Sequence, residues 1–270
     1  MLGGLAASVL SGPIGTEPLL WIVALLNMLA IVQLRVLGRT EAPLPNEPPT
    51  AGRSHWGGLK SFPELVARYP IIRYLACSIF LFIALYTIAE FLYLSIYAEA
   101  FPDERKLTSF LGLIRMLSDA AQVLLLVGLT RPLLDRLGVA RMSVIYPITT
   151  LLSFVWLAGQ FRLPAAIASN LNSGPLENAL HQPVHHLTYN AIPHRFVGRV
   201  RAFCEGGIYA LGLAFAGVLL WLGQRHLTLV QLTWIGVALC GFYVATKYVL
   251  SKQYVTSLIS MLRDGVVHLV

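Results

Sequence analysis

Residues 71–97 read IIRYLACSIFLFIALYTIAEFLYLSIY, an apolar run in which only Arg73 and Glu90 are charged. A helix needs about 20 mostly apolar residues to cross the hydrocarbon core of a bilayer, so this run predicts a membrane-spanning helix. The rest of the chain has the same character, because 56% of its 270 residues are hydrophobic, 12% are charged and the mean hydropathy is +0.68. Soluble domains carry about 25% charged residues. The composition therefore excludes an ordinary cytosolic enzyme, a nucleic-acid-binding module and a disordered chain.

Six further stretches are long and apolar enough to be candidate spans. With the first run, the seven candidates are residues 18–37, 71–97, 107–129, 139–158, 164–192, 203–223 and 227–250. The stretch 164–192 is the least apolar, and it could be broken at Gly174-Pro175 or at Pro183. Residues 1–12 are apolar but too short to cross, and they lack the basic start of a signal peptide. The sequence predicts an all-α polytopic membrane protein with about seven spans and a partial one.

The basic residues indicate how the chain is oriented in the bilayer. When the spans are threaded alternately, fifteen of the twenty Lys and Arg residues fall on one side, four fall on the other, and Arg115 lies within a span. Cytoplasmic loops of membrane proteins carry such an excess of basic residues. We therefore expect the polar linker at 39–69 and the C-terminus to be cytoplasmic. The basic character follows from topology, so the expected partner is the lipid bilayer and not nucleic acid.

One cytoplasmic loop carries a recognisable pattern. Between the spans at 107–129 and 139–158 the chain reads RPLLDRLGVAR, from Arg131 to Arg141. This resembles the Gly-x-Leu-x-Asp-Arg-x-Gly-x-x-Arg loop of the major facilitator superfamily, with Arg131 at the position where Gly is usual. In that family the loop joins the second and third helices of each six-helix half, and the Pro-rich linker at 39–69 resembles the long loop between the halves.

This resemblance implies a domain organisation and a gate. Residues 1–38 would be the end of the first half, comprising the outer end of helix five and helix six. Residues 70–250 would be the second six-helix bundle, and 251–270 an amphipathic cytoplasmic tail. The implied gate motif, which would latch the cytoplasmic side closed, consists of Asp135, Arg136, Gly138 and Arg141. The alternative is a solvated basic loop that only obeys the topology rule.

Two other stretches narrow the resemblance. Residues 86–91, YTIAEF, with 100–104, AFPDE, and residues 182–193, QPVHHLTYNAIP, look like bacterial relatives of the ATP/ADP translocases. This implies an antiporter of the bacterial inner membrane with a nucleotide as a possible substrate. An exchanger of nucleotides would neutralise phosphate charges with lysines inside the spans. The sequence departs from that pattern, since no lysine lies at the centre of a predicted span and Lys247 lies near a cytoplasmic end.

Ionisable groups inside spans are functional candidates, because each costs upward of about 2.5 kcal/mol at the bilayer centre. Glu90 lies well inside its span, and Glu205 opens another. Arg115 and Asp119 are four residues apart and share a helix face. That pair either contacts a substrate or gate, or merely neutralises itself so that the helix can insert.

The segment 170–190 is the most polar of the spans, so it must be buried among other helices or line a wet cavity. Glu177, His181 and His185 follow each other at intervals of four and share one face. Such a face could bind zinc, bind protons or a substrate, or pack against another helix. Histidine titrates near neutrality, which makes proton coupling chemically possible. We predict no metal and no cofactor. The substrate-cavity candidates are Glu90, Arg115, Asp119, Glu177, His181, His185 and Glu205.

These features together favour a secondary transporter, or a fragment of a twelve-helix carrier, that moves a small polar or anionic solute by alternating access. Its partner would be the missing N-terminal six-helix half or a separate chain. The alternative is a membrane sensor or anchor that keeps the fold and is linked to a cytoplasmic regulatory domain. An intramembrane enzyme is the least supported class, because no nucleophile–base pair stands out. We therefore expect no enzymatic activity.

Overall fold

The computed structural model describes residues 69–263, together with Met28, Leu29, Gln33 and Val66. Apart from those few positions, the stub at 1–12, the span at 18–37, the linker at 39–69 and the last seven residues lie outside the described part. Within residues 69–263 every regular element is a helix and no strand occurs. This confirms the all-α part of the prediction.

Eight α-helices follow one another along the described chain. They are α1 Pro70–Ala100, α2 Glu104–Leu125, α3 Arg131–Gly159, α4 Leu163–Leu171, α5 Gln182–Thr188, α6 His194–Arg201, α7 Tyr209–His226 and α8 Leu229–Arg263. Three π-helical segments, Leu126–Thr130, Asn172–His181 and Ala202–Ile208, and one 3₁₀ turn, Tyr189–Ala191, connect some of them.

Four helical stretches of the described chain are long and apolar enough to cross a membrane. They are Pro70–Ala100, Glu104–Gly159, Phe196–His226 and Leu229–Ser260. Their length and composition support an integral membrane protein. The predicted span at 164–192 is not among them: its backbone is helical through Gly174-Pro175 and Pro183, but it is the least apolar of the predicted spans. The full number of spans and the major-facilitator-like bundle stay predictions.

The chain forms two compact units. Residues 101–117 belong to the first, in which the rings of Phe101 and Phe110 stack with centroids 4.5 Å apart. Residues 69–100 and 118–263 belong to the second. There α8 packs along α3 and α1, and α1 also packs against α4 and α7. Helix α1 is apolar on all sides, which is typical of a helix surrounded by others, and Leu75, Ile88 and Leu92 are completely buried on it.

The stretch that the sequence analysis interprets as a loop is largely helical. Residues from Arg131 onward continue the helical path of the π-helical segment Leu126–Thr130, and only Gly138 departs from it, with φ 70° and ψ 167°. This backbone conformation is essentially restricted to glycine. The turn between the predicted spans is therefore a single sharp bend at Gly138 and not an extended loop.

Helix α8 is longer than the predicted span at 227–250. It continues without a break to Arg263, so the predicted tail begins inside a helix. The stretch from 251 to 263 contains no Gly or Pro, and nothing in it stops the helix from propagating. The hydroxyl of Ser251 donates a hydrogen bond of 2.7 Å to the carbonyl of Ala140, which fixes this part of α8 against α3.

Candidate functional site: a histidine-lined cavity

A cavity of about 260 Å³ lies within the second compact unit. Its lining residues come from α1, from α5 and the residue before it, and from the junction that leads into α7. They are Ile79, Phe82, His181, Gln182, His185, His186, Glu205 and Tyr209. Three of the predicted cavity residues, His181, His185 and Glu205, are therefore brought together around one space.

Two of the three π-helical segments supply walls of this cavity. His181 ends the segment Asn172–His181, and Glu205 lies in the segment Ala202–Ile208. In the first segment the backbone N–H of Gln182 bonds to the carbonyl of Glu177, five residues back. Pro175 lies inside that segment and has no N–H to donate, which accounts for the altered hydrogen-bond register. Wide turns of this kind occur frequently at functional sites.

Aromatic rings stack along the cavity wall. The rings of Phe82 and His181 lie 4.3 Å apart between centroids and are inclined by 27°. His181 and His185 follow at 5.6 Å and are almost parallel, at 13°. Tyr146 of α3 also approaches His181, at 4.9 Å. The two histidines are buried, with 5% and 8% of their surface exposed, so their orientation is fixed by packing.

Glu177 lies beside the cavity lining and is buried. Its Oε1 accepts a hydrogen bond from Nε2 of Gln182, which is one of the lining residues. The carboxylate thus orients the Gln182 amide. Of the three residues on the predicted face, Glu177 therefore positions a neighbour, whereas His181 and His185 form part of the cavity wall.

Glu205 is held by a cation from its own helix. Nε of Arg201 donates to both carboxylate oxygens of Glu205 at 2.9 Å. Nη2 of Arg201 also lies 3.4 Å from Nδ1 of His186. Arg201 therefore connects two walls of the cavity, although its side chain is 49% exposed and that of Glu205 is 37% exposed.

The other predicted residues lie elsewhere on the fold. Glu90 is half-buried on α1, where it acts electrostatically on Tyr93, and it does not line the cavity. Arg115 is exposed on α2, and Asp119 is half-buried four residues later. The gate-motif residues Asp135, Arg136, Gly138 and Arg141 are all exposed at the bend of α3.

Part of the polar segment 170–190 serves helix packing. Nδ2 of Asn172 donates a 3.0 Å hydrogen bond to the hydroxyl of Thr150 on α3. Nδ2 of Asn178 likewise donates to Oε1 of Gln122 on α2, at 3.2 Å. Such side-chain bonds between helices are the usual way in which polar groups are satisfied in an apolar bundle. The segment thus has two roles, since its asparagines pack and its histidines line the cavity.

A buried lysine is absent from the residues that the sequence predicts for the site. Lys247 on α8 is only 1% exposed, and it lies close enough to His181 and His185 to act on them electrostatically. Because Lys247 lies near a predicted cytoplasmic end, the sequence favours a role in orienting the protein in the membrane over a role in the site. The signal that could have found it is its place four residues after Tyr243 on an otherwise apolar helix face.

Within the described part of the chain, no group of three or more His, Cys, Asp or Glu side chains could hold a metal ion. His181 and His185 instead present parallel ring faces to each other. Nδ1 of His185 is buried and makes no hydrogen bond to any of the described residues.

Four helical stretches of the described chain have the length and apolar composition of membrane spans, and they support a helical integral membrane protein. Comparison of the chain with protein-family models, with curated proteins and with solved structures finds no match.

Proposed function

We propose that the chain is a secondary-transporter-like membrane protein, the second half of a twelve-helix major facilitator carrier together with the helix that precedes it. The observation that carries this proposal is the cavity that His181, His185 and Glu205 line between α1, α5 and the start of α7. It is partly open, since Glu205 and Tyr209 are exposed. Ionisable side chains at membrane depth face cavities or solute pathways, because they are costly elsewhere. A small polar solute would bind there between two halves that rock around it.

The gate proposed from the loop motif agrees with the geometry of α3. Asp135, Arg136 and Arg141 are exposed around the bend at Gly138, and they are therefore free of the hydrophobic core and accessible to a partner helix. In the complete carrier they would meet the cytoplasmic start of the fifth helix and hold that side closed. Sequence reasoning from the positive-inside rule puts this bend on the cytoplasmic side.

Transport is tested on the protein reconstituted into liposomes. The reading frame upstream of Met1 is determined first, and we expect five further spans with a second Asp-Arg-x-Gly loop; the full-length carrier is then the protein to assay. Uptake of three labelled probes, ATP, alanine and choline, is compared with uptake into protein-free liposomes. We expect saturable uptake of at least one probe, reduced by Glu205→Gln and unchanged by Glu99→Gln, an exposed glutamate of α1 outside the cavity. Uptake equal to that of protein-free liposomes for every probe would contradict the proposal.

One observation favours the alternative of a membrane sensor or anchor. Helix α8 is 35 residues long, which corresponds to about 52 Å at 1.5 Å per residue, whereas the hydrocarbon core is only about 30 Å thick. The excess length would extend α8 into the cytoplasm as a rigid connection to a regulatory domain. A stop codon directly before Met1, together with no uptake of any probe, would favour this function over transport.

A further inference from the structure

We propose that the cavity takes a small organic cation, an ammonium group attached to a compact apolar or aromatic body. This inference rests on the proposed function, because it names the class of solute that the same cavity would carry. The proposed solute is positively charged, whereas the resemblance to the ATP/ADP translocases implies a negatively charged one.

The charges of the lining determine this choice. Glu205 is the carboxylate that lines the cavity, and the lining drawn from the described residues contains no Lys or Arg. The nearest guanidinium, that of Arg201, holds Glu205 but is not part of the lining. The buried Lys247, which acts electrostatically on His181 and His185, is likewise not part of the lining. Among the described lining residues, the acidic or basic side chain other than histidine is therefore a carboxylate.

The Arg201–Glu205 pair can be exchanged for a pair with the solute. Both side chains are well exposed, at 49% and 37%, so the pair is accessible to an entering solute. An entering ammonium would take over a carboxylate oxygen of Glu205 and free Arg201. Because Arg201 also contacts His186, the same exchange would loosen a connection between two walls of the cavity.

The walls suit the rest of a cation. Phe82 and Tyr209 line the cavity, and aromatic faces attract ammonium groups through the ring quadrupole. Rings of His181 and His185 line it as well.

The size of the cavity limits the solute. Its volume of about 260 Å³ is below the range of about 300–1,000 Å³ that is usual for drug-sized ligands. A phenyl ring with one aminomethyl group is of suitable size and chemistry. Three probes with the same ring separate the contribution of charge: benzylammonium, benzyl alcohol and benzoate.

Binding of these probes is measured by calorimetry on the purified full chain in detergent micelles. We expect benzylammonium to bind saturably and about tenfold or more tightly than benzyl alcohol or benzoate, as a hydrogen bond to a charged group predicts. Equal binding of the three probes, or tighter binding of benzoate, would overturn the proposal.

Two variants shift the affinity in opposite directions. Glu205→Gln should weaken benzylammonium binding about tenfold, because it removes the charged partner. Arg201→Gln should tighten binding, because Glu205 loses its competitor. Glu99→Gln is the matched control and should leave binding unchanged. If both variants weakened binding equally, with the thermal stability of each reduced, the pair would have only a structural role and the proposal would fail.

Failure of this inference can be told apart from failure of the proposed function. Tight benzylammonium binding without uptake of any solute by liposomes would support the cation site and contradict transport. Uptake of ATP or alanine with no preference among the three probes would support transport and overturn the cation site.

Discussion

The ammonium nitrogen of Lys247 lies 5.9 Å from the centre of the Tyr243 ring, and Lys247 is only 1% exposed. Five residues further along α8 the arrangement recurs in a different environment, where Nζ of Lys252 lies 4.5 Å from the centre of the Tyr248 ring and Lys252 is exposed. The helix thus carries two lysine–tyrosine pairs of the same spacing, and only one of them requires a lysine to be removed from solvent.

Lys247→Met is expected to leave the free energy of unfolding unchanged or to raise it. The substitution removes a charge whose burial is costly, and an unbranched apolar side chain keeps most of the packing. Lys252→Met is the matched control and should change stability by less than about 0.5 kcal/mol. Titration of the detergent-solubilised protein with SDS measures both. A large loss of stability in Lys247→Met alone would show that the ammonium has a strongly favourable partner.

The ends of α1 could be predicted from the sequence because Pro70 and Pro102 lie at them. Helix α1 begins one residue before the predicted 71–97 and ends three residues after it, just before Phe101-Pro102-Asp103. The end of α8 could not be predicted in this way, since the stretch from 251 to 263 is amphipathic but contains no residue that breaks a helix. The strongly apolar stretch ends near residue 250, whereas the helix continues to Arg263. The π-helical segments could not be predicted either, because hydropathy indicates which helix faces are apolar and not which carbonyl accepts a hydrogen bond from each backbone N–H.

The predicted orientation of α3 has a direct test. Arg136 before the bend and Gln160 after the helix are both exposed, and the positive-inside rule puts them on opposite sides of the membrane. In a Cys77→Ala background, with Cys204 and Cys240 buried, Arg136→Cys should react with an impermeant maleimide only in inside-out vesicles. Gln160→Cys should react only in right-side-out vesicles. Reaction of both from one side would mean that α3 does not cross.

Gly138→Ala is expected to destabilise the protein through its backbone alone. No atom lies within 4 Å of the position that a Cβ would take, but φ is +70°, and holding another residue in such a conformation costs about 1–3 kcal/mol. Gly128→Ala is the control, because its position is equally open and its φ is not in the left-handed region. Thermal unfolding followed by tryptophan fluorescence should show a lower Tm for the first variant only. Equal Tm values would mean that the bend at Gly138 is not required.

Gly236→Ala tests the contact between α8 and α3. A Cβ at this position would overlap the ring of Phe154, which is 1% exposed and cannot move easily. Overpacking of a buried contact costs about 1–3 kcal/mol. Gly241→Ala on the same helix meets nothing within 4 Å, and it should be neutral or slightly stabilising because Ala favours a helix over Gly. If Gly236→Ala were as stable as Gly241→Ala, the two helices would not pack this closely.

The candidate site could be predicted only in part, because its residues come from several helices that meet only in the folded protein. The spacing of His181 and His185 suffices to indicate a shared face, since it depends on one helix. Phe82 and Tyr146 come from other helices, and no local pattern shows that they meet His181. Glu205 could be identified by its charge in an apolar run, but its partner Arg201 was assigned only to topology.

Hydrogen bonds between polar side chains contribute to the packing of the helices, and this contribution can be measured. Asn172 donates to Thr150 at 3.0 Å, and Thr150 in turn donates to the carbonyl of Tyr146 at 2.8 Å. If this bond stabilises the bundle, Asn172→Ala and Thr150→Val should be less than additive in a double-mutant cycle, with a coupling of about 0.6 kcal/mol, as for other hydrogen bonds between membrane helices. Unfolding titrations of the wild-type protein, the two single variants and the double variant give this coupling. Asn178→Ala with Thr150→Val is the control cycle and should be additive, because Asn178 bonds to Gln122 and not to Thr150. Strict additivity in the first cycle would mean that the Asn172–Thr150 hydrogen bond does not stabilise the bundle.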